Sequence, residues 1–342
     1  MKETRPLLAS HCRAVSYRLG IGLPLLPILM VFVLLLLQPA AGAASSPAVL
    51  IINSGNEAIY QQVVTRLSER LVADCKRLSP DCTPPHLVQK LLSDSTLETL
   101  FPLDTTRWKL VITIGLKAAR FMESRRHEIA ILHTLIPRSS APGLGLSAGQ
   151  SQRHSAIYID QPINRTMRLI TFIEPTPKRL GLLLGPSTID MRAGITATAG
   201  RTGFALDSEY VSESKQVGGA IRRILKKSDI LLALPDPLVY NRQTIVSILL
   251  SSYHSRIPVI GFSAAYVKAG AIAAVYSTPG DIGRHISDLV WRFLSNRPST
   301  LPPPEYPRYF HVETNRQVSH SLGIDLPSAH VIKQRLESLE KP

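Results

Sequence analysis

Short unbroken apolar runs alternate with longer amphipathic stretches along most of this chain. Ala48-Val-Leu-Ile-Ile52 ends at Asn53-Ser-Gly-Asn56, the signature of a buried strand closed by a turn. Residues 57–76 then carry helical periodicity. Leu87 marks a weaker strand, and residues 93–100 read as helical. Leu110-Val-Ile-Thr-Ile114 is a strong buried strand stopped by Gly115. Residues 117–128 read as a helix and 129–132 as the next strand. The second half repeats the scheme. Strands are predicted at 179–184, 204–211, 229–234, 257–260 and 271–275. Helices are predicted at 191–202, 217–227, 244–253 and 281–296.

Continuous apolar strands separated by helices imply parallel sheets covered on both faces. Two such series in tandem predict an α/β fold of two doubly wound parallel-sheet lobes with a cleft between them. The segments 110–120 and 230–240 read as equivalent strand-turn-helix positions of the two halves. The join falls near residues 139–164, where Pro, Gly, Ser and Gln replace the apolar pattern. The expected divisions are 44–160 for the first lobe, completed by part of the C-terminal segment, 161–280 for the second lobe, and 281–342 for a C-terminal helix and crossover segment.

The first residues stand apart from this pattern. Lys2, Arg5, Arg13 and Arg18 precede an apolar run from Ile21 to Leu37, and Ala41-Gly-Ala43 has the small-x-small form of a signal peptidase site. This predicts a cleaved signal peptide over 1–43 and a periplasmic or other extracytoplasmic location. The apolar run is also long enough to serve as an N-terminal membrane anchor, and that alternative stays open.

Charge and cysteine content refine the picture. The formal net charge is +14, but the basic residues are scattered over predicted helix faces, as at Arg222-Arg223 and Lys226-Lys227. Scatter and export together argue against a nucleic acid partner. Cys12 leaves with the leader. Cys75 and Cys82 remain in an oxidising compartment, which favours a disulfide, with two unpaired thiols as the alternative. No nucleophile elbow, His-Glu-x-x-His or P-loop occurs, so no catalytic residue and no cofactor is expected. The histidines are dispersed along the chain, and no metal site is expected.

Where chemistry can be placed, it is at the strand ends, since ligands of open α/β sheets bind beyond the carboxyl ends of the strands. Ser54, Gly55 and Asn56 follow the first strand, and Gly115 and Leu116 follow the strand at 110–114. Pro186 and Ser187 follow the first strand of the second lobe. Asp236, Ser263 and Tyr276 follow its later strands. Such a set would offer apolar walls, a few orienting polar groups and helix N-termini suited to a carboxylate, with Asp236 able to pair with an amino group.

Several stretches resemble the family of ABC transporter substrate-binding proteins with the type I periplasmic-binding fold, which includes tryptophan- and phenylalanine-binding members. They are Pro177-Lys-Arg-Leu-Gly-Leu-Leu-Leu-Gly185, Asp229-Ile-Leu-Leu-Ala-Leu-Pro-Asp236, Arg256-Ile-Pro-Val-Ile-Gly-Phe-Ser263 and Val267-Lys-Ala-Gly-Ala-Ile-Ala-Ala-Val-Tyr276. Asp281-Ile-Gly283, Ser321-Leu-Gly-Ile-Asp-Leu-Pro327 and Leu110-Val-Ile-Thr-Ile-Gly-Leu-Lys-Ala-Ala119 continue the likeness. The resemblance implies a non-enzymatic, exported protein that captures a small molecule, an amino acid or other carboxylate, for an ABC permease. A ligand-sensing module docking on a membrane receptor or sensor kinase is the alternative. The chain departs from the family pattern at Gly115-Leu116-Lys117 and at His133–Arg138. Arg138 stands where the family usually carries an acid, which points to a more anionic ligand.

Overall fold

A computed structural model describes residues 48–125, 128–146, 153–173, 176–295 and 298–340. The predicted signal peptide, Cys12 and His127 lie outside these residues. In the first lobe, β1 (Ala48–Asn53), α1 (Ala58–Leu78), β2 (His86–Leu91), β3 (Trp108–Ile114), α2 (Leu116–Glu123), β4 (Ala130–Ile136) and β5 (His154–Tyr158) follow in order. The strands form one parallel sheet in the order β2-β1-β3-β4-β5.

The second lobe begins with α3 (Ile163–Ile170), β6 (Arg179–Leu184), α4 (Arg192–Arg201), β7 (Ala205–Tyr210) and α5 (Val217–Leu225). It continues through β8 (Ile230–Leu232), α6 (Ile245–His254), β9 (Val259–Gly261), α7 (Ala264–Ala269) and β10 (Ala273–Tyr276). The chain then crosses as α8 (Pro279–Ser295) and returns through β11 (His311–Thr314), α9 (Arg316–Ser321) and α10 (Ala329–Leu339). The second sheet runs β11-β10-β9-β8-β6-β7, with only β11 antiparallel.

Side chains alternate across each strand, so a fully apolar strand feeds two cores. Val49 and Ile51 face one side of the first sheet with Leu110 and Ile112, against Val63, Leu67 and Leu71 of α1. Leu50 and Ile52 face the other with Val111 and Ile131, against Ala118 and Met122 of α2. In the second lobe, Leu182 and Leu232 pack towards Ile170, Ile195 and Leu336. Leu183 and Leu231 pack towards Ile221, Ile224 and Ile248.

The first lobe borrows from the far end of the chain. Ile282, Ile286, Leu289, Val290 and Phe293 of α8 are buried in its core, each contributing roughly 1.5–3 kcal/mol of hydrophobic stabilisation. Gly283 permits this docking: a Cβ there would sit 2.7 Å from the Val63 carbonyl oxygen and 3.0 Å from the Leu67 nitrogen of α1. Glu305 then runs beside β5, donating its N–H to the Ala156 carbonyl at 2.8 Å and accepting from the Tyr158 N–H at 3.1 Å.

Three strands of chain cross between the lobes, and they are laced together. Gln161 Nε2 donates to Ser277 Oγ at 2.8 Å, and Ser277 Oγ donates to the Tyr309 carbonyl at 2.6 Å. Buried Arg165 donates to Gln161 Oε1, to the Pro307 carbonyl and to both oxygens of Glu340. A disulfide joins Cys75 to Cys82 across the turn after α1, with Cα atoms 5.4 Å apart.

Local differences from the sequence reading have physical causes. Residues 93–100 condense to a single 3₁₀ turn at Glu98–Leu100, because Asp94 caps a local turn through Thr96. The 230–240 segment holds no helix after its strand: Pro235 and Pro237 block one, and α6 starts only at Ile245. The strand predicted at 129–132 extends to Ile136, which puts His133 inside β4, wholly buried. β5, α3 and β11 carry too few consecutive apolar residues to register as elements in the sequence.

Candidate ligand-binding cleft

The carboxyl ends of β4 and β5 open onto a cleft of about 780 Å³ whose opposite wall is α4 and the turn before it. Arg138, Tyr158, Asp160 and Tyr306 line one side; Asp190, Met191, Thr198 and Arg201 line the other. Basic and acidic side chains therefore face the gap from both walls. A second recess of about 290 Å³ lies at the ends of β8, β9 and β10, lined by Pro235, Phe262, Ser263, Tyr276 and Ser277. Asp160, Gln161, Ile163 and Met191 border both spaces. The larger volume falls within the range of small-molecule sites, about 300–1,000 Å³, and the smaller lies at its lower limit.

The backbone aims Arg138 into the cleft. The pairing of β4 with β5 slips one residue between Thr134 and Ile136, and Leu135 there adopts a left-handed φ of 53°. A bulge of this kind bends the strand end and turns the following chain outward. Leu135 buries its side chain in the core, and the chain beyond it delivers Arg138 to the surface of the gap. The Arg138 N–H donates to Asp160 Oδ2 at 2.6 Å, and its guanidinium lies over the Tyr306 ring at 5.8 Å. Tyr158 and Tyr306 meet edge to face, with ring centroids 5.5 Å apart.

Burial pushes the Asp160 carboxyl above its usual range, against the hydrogen bond from Arg138. Burial likewise raises the Tyr158 and Tyr306 phenols, so both stay protonated and able to donate. In the smaller recess, Tyr276 donates to Glu313 at 3.0 Å and stacks on His311. Burial and the bond to Glu313 push its phenol up to about 12.

The strand-end residues singled out in the sequence divide into groups. Arg138 lines the larger cleft, and Ser263 and Tyr276 line the smaller recess. Ser54, Gly55, Asn56, Gly115 and Leu116 sit at the ends of β1 and β3 and border neither space. Ser54 Oγ accepts from the Ala118 N–H at 2.9 Å, so it satisfies the N-terminus of α2 from within. Gly115 has a φ of 89°, and a Cβ would lie 2.6 Å from that same oxygen. Asn56 accepts from Gln61, and Leu116 packs beside Ala119 and Ile136.

Pro186, Ser187 and Asp236 also border neither space. Asp236 is 1% exposed. One oxygen accepts from the Ser187 N–H and the Thr188 hydroxyl, both at 3.0 Å; the other accepts from the Leu238 and Val239 N–H groups at 3.0 and 3.3 Å. The donors expected to hold a ligand carboxylate after Gly185 hold the protein's own.

Sequence reasoning passed over Tyr158, Asp160, Asp190, Arg201 and Tyr306. Tyr158-Ile-Asp160 closes β5, but its neighbourhood reads by composition as a join. Tyr306 hides in a Pro-rich stretch. The strand-end rule could not find Asp160, because residues 154–158 read His-Ser-Ala-Ile-Tyr and do not announce a strand. A further cluster was also missed: Glu123, His133 and His154 are remote in sequence, yet one ligand-capable atom from each lies within 4.8 Å of the others.

Comparison with known proteins agrees with this architecture. The family model for ABC transporter substrate binding proteins matches residues 95–334. A tyrosine-binding protein of Clostridioides difficile is 23% identical over 170 residues, 48% of each chain, so the match spans about half the length of that curated relative. The ligand-free, open structure of a Clostridium difficile substrate-binding protein with adhesive properties superposes with a TM-score of 0.65 at 16% identity, covering 82% of this chain and 96% of that one. An ABC domain from Streptococcus pneumonia in complex with L-Trp gives a TM-score of 0.54 at 15% identity, covering 84% and 98%. The folds of these structures are of the type I periplasmic-binding kind, as are the two parallel-sheet lobes described above. Among the described residues, no helix is long and apolar enough to cross a membrane. The matched segment contains both walls of the cleft and every interlobe crossover, and the chain belongs to the ABC transporter substrate binding protein family.

Proposed function

We propose that this protein captures a small amphipathic solute bearing a carboxylate, an amino acid being the leading case, in the cleft between its lobes and delivers it to an ABC-type permease. The observation that carries the reading is the pairing of charges around the larger cleft. Arg138 and Arg201 can take a carboxylate; Asp160 and Asp190 can take an ammonium; Tyr158 and Tyr306 supply an apolar, hydrogen-bonding wall. The tyrosine-binding relative and the L-Trp complex within the same fold support an amino acid as the cargo.

The mechanism needs no bond to be made or broken. Solute entering the cleft contacts both walls, and the lobes close about the three laced crossovers at Gln161, Ser277 and Pro307. Differential contact with the closed state drives the motion. The reading places the protein outside the cytoplasmic membrane, with residues 1–43 as its export leader, 44–160 and 161–280 as the lobes, and 281–342 as the segment that completes them.

Thermal shift with the common amino acids and with dicarboxylates tests the proposal. At about a hundred-fold excess over Kd, a bound solute adds about 2.7 kcal/mol of stability, a shift of several degrees. Stabilisation by an amino acid that Arg138→Gln cuts to about half at the same concentration is the expected result. Stabilisation by none of these solutes, or by a purely cationic one, would overturn it.

A further inference from the structure

The convergent cluster in the first lobe is not used by solute capture, and none of its three residues lines the cleft or the smaller recess. His133 stands in register with Thr113 of the neighbouring strand. Thr113 Oγ is 2.8 Å from its Nδ1, which turns Nε2 towards Glu123 Oε1 at 3.0 Å. His154, paired with Ile131 at the start of β5, brings its Nδ1 to 3.1 Å from the same oxygen. The three residues come from the last turn of α2 and from two adjacent strands, so their positions are set by the backbone of the lobe.

We propose that Glu123, His133 and His154 form a binding site for a divalent transition-metal ion, with zinc as the reference case. Two imidazoles and one carboxylate are a donor set such ions prefer, and a fourth position remains for water. Zinc bonds of about 2.0–2.1 Å give neighbouring ligands a separation of about 3.3 Å in a tetrahedral site. Two of the edges here are 3.0 and 3.1 Å and the third, between the imidazole nitrogens, is within 4.8 Å, so an ion is seated by opening the two short edges a few tenths of an ångström and adjusting the rings about the carboxylate. One ionised carboxylate with two neutral rings carries a single negative charge, which favours a divalent cation. Thr113 supplies the outer hydrogen bond that fixes a ligating imidazole: with Nδ1–H donating to its hydroxyl, the Nε2 lone pair faces the ion. The side chains of Glu123 and His154 are 22% and 23% exposed, which leaves a path for the ion and its water.

The same atoms could instead form a hydrogen-bonded triad, in which both ring nitrogens carry protons towards the carboxylate. Protein purified without a histidine tag and stripped with chelator distinguishes the two. Calorimetry with zinc chloride should show one ion per chain, and cobalt(II) should develop the visible absorption of a four- or five-coordinate ion. His154→Ala and Glu123→Gln should each weaken zinc binding at least about ten-fold, and Thr113→Val should weaken it less. Glu123→Gln is isosteric and keeps the test open if His154→Ala fails to fold. Wild-type protein that takes up no zinc at up to about 1 mM, or takes it up equally in both ligand variants, has a hydrogen-bonded triad only. Amino-acid thermal shifts are read separately, so either proposal can fail without the other.

Discussion

In the second lobe, a buried carboxylate ties the ends of β6 and β8 with four hydrogen bonds; in the first, the carboxylate beyond β5 takes the Arg138 N–H from the turn after β4 and lies on the wall of the gap. Asp236 makes the tie. It reaches across from the turn after β8 and collects donors from the turn after β6 and from its own. Asp160, just past the end of β5, accepts from the Arg138 N–H and shares the cleft wall with Arg138 and two tyrosines. Both are carboxylates at strand ends. What separates them is the supply of donors: a carboxylate surrounded by backbone N–H groups and a hydroxyl becomes part of the turn, and one with fewer partners on the cleft wall is the one the proposed function assigns to solute.

The sharpest way to break that comparison is Asp236→Ala. The substitution leaves buried donors without an acceptor, and hydrogen bonds to a charged group contribute about 1.5–3 kcal/mol each before compensation by water. A loss of about 3 kcal/mol is expected in urea unfolding, with solute affinity in the folded protein changed by less than about two-fold. An unchanged urea midpoint with lost solute binding would put Asp236 back in the binding site.

Next in size is Gly283→Ala, which probes how the first lobe depends on a helix from the far end of the chain. The added Cβ meets backbone atoms of α1, not a side chain that can swing away, so the two helices must separate. About 1–3 kcal/mol of destabilisation follows. The second lobe takes nothing across that contact. Unfolding followed by tryptophan fluorescence, from Trp108 and Trp291, both packed in the first lobe, should therefore shift by at least as much as circular dichroism of the whole chain. A silent substitution would mean that α8 is not docked as described.

How much of this was legible in the sequence depended on whether a feature is local. The runs at 110–114 and 180–184 announce buried strands because all but Thr113 and Gly181 are apolar, and the structure places β3 at the centre of the first sheet and β6 inside the second, between β8 and β7. Such strands in tandem also announce the two-lobed fold and the family. Asp236 was visible as a strand-end acid, but its donors at Ser187 and Thr188 come from a different turn, so its role was not. The interlobe walls depend on α4 standing opposite β5, a packing relation no periodicity encodes. Glu123, His133 and His154 are joined only by the register of β4 with β5 and by where α2 ends.

A smaller effect, on affinity alone, is expected from Arg138→Gln. The side chain is exposed and its backbone N–H, the group that holds Asp160, is untouched. Stability should stay within about 0.5 kcal/mol of wild type. Affinity for an amino acid should fall about ten-fold, or about 1.4 kcal/mol. Equal losses for substrates with and without a carboxylate would show that Arg138 does not read that group.

The smallest effect concerns the segment that completes the first lobe, and it is a pH dependence. Burial alone would raise the Glu305 carboxyl, but the hydrogen bond from His285, its charge, and Arg308 and Arg292 outweigh burial and hold it below its ordinary value. His285 Nε2 lies 2.9 Å from Glu305 Oε1. A depressed carboxyl stabilises the fold when ionised. Its contribution is complete above the unfolded value of 4.5 and is lost as pH falls through the lower folded value. The side chain is 31% exposed, so solvent screening keeps the contribution below about 1 kcal/mol. Glu305→Gln should flatten the acid limb of the stability curve below about pH 4.5 and change little at pH 7 beyond that small constant loss. An acid limb identical in the variant and the wild type would mean that the crossover beside β5 is held by its backbone hydrogen bonds alone, and that the charge at its end contributes nothing to closing the first sheet.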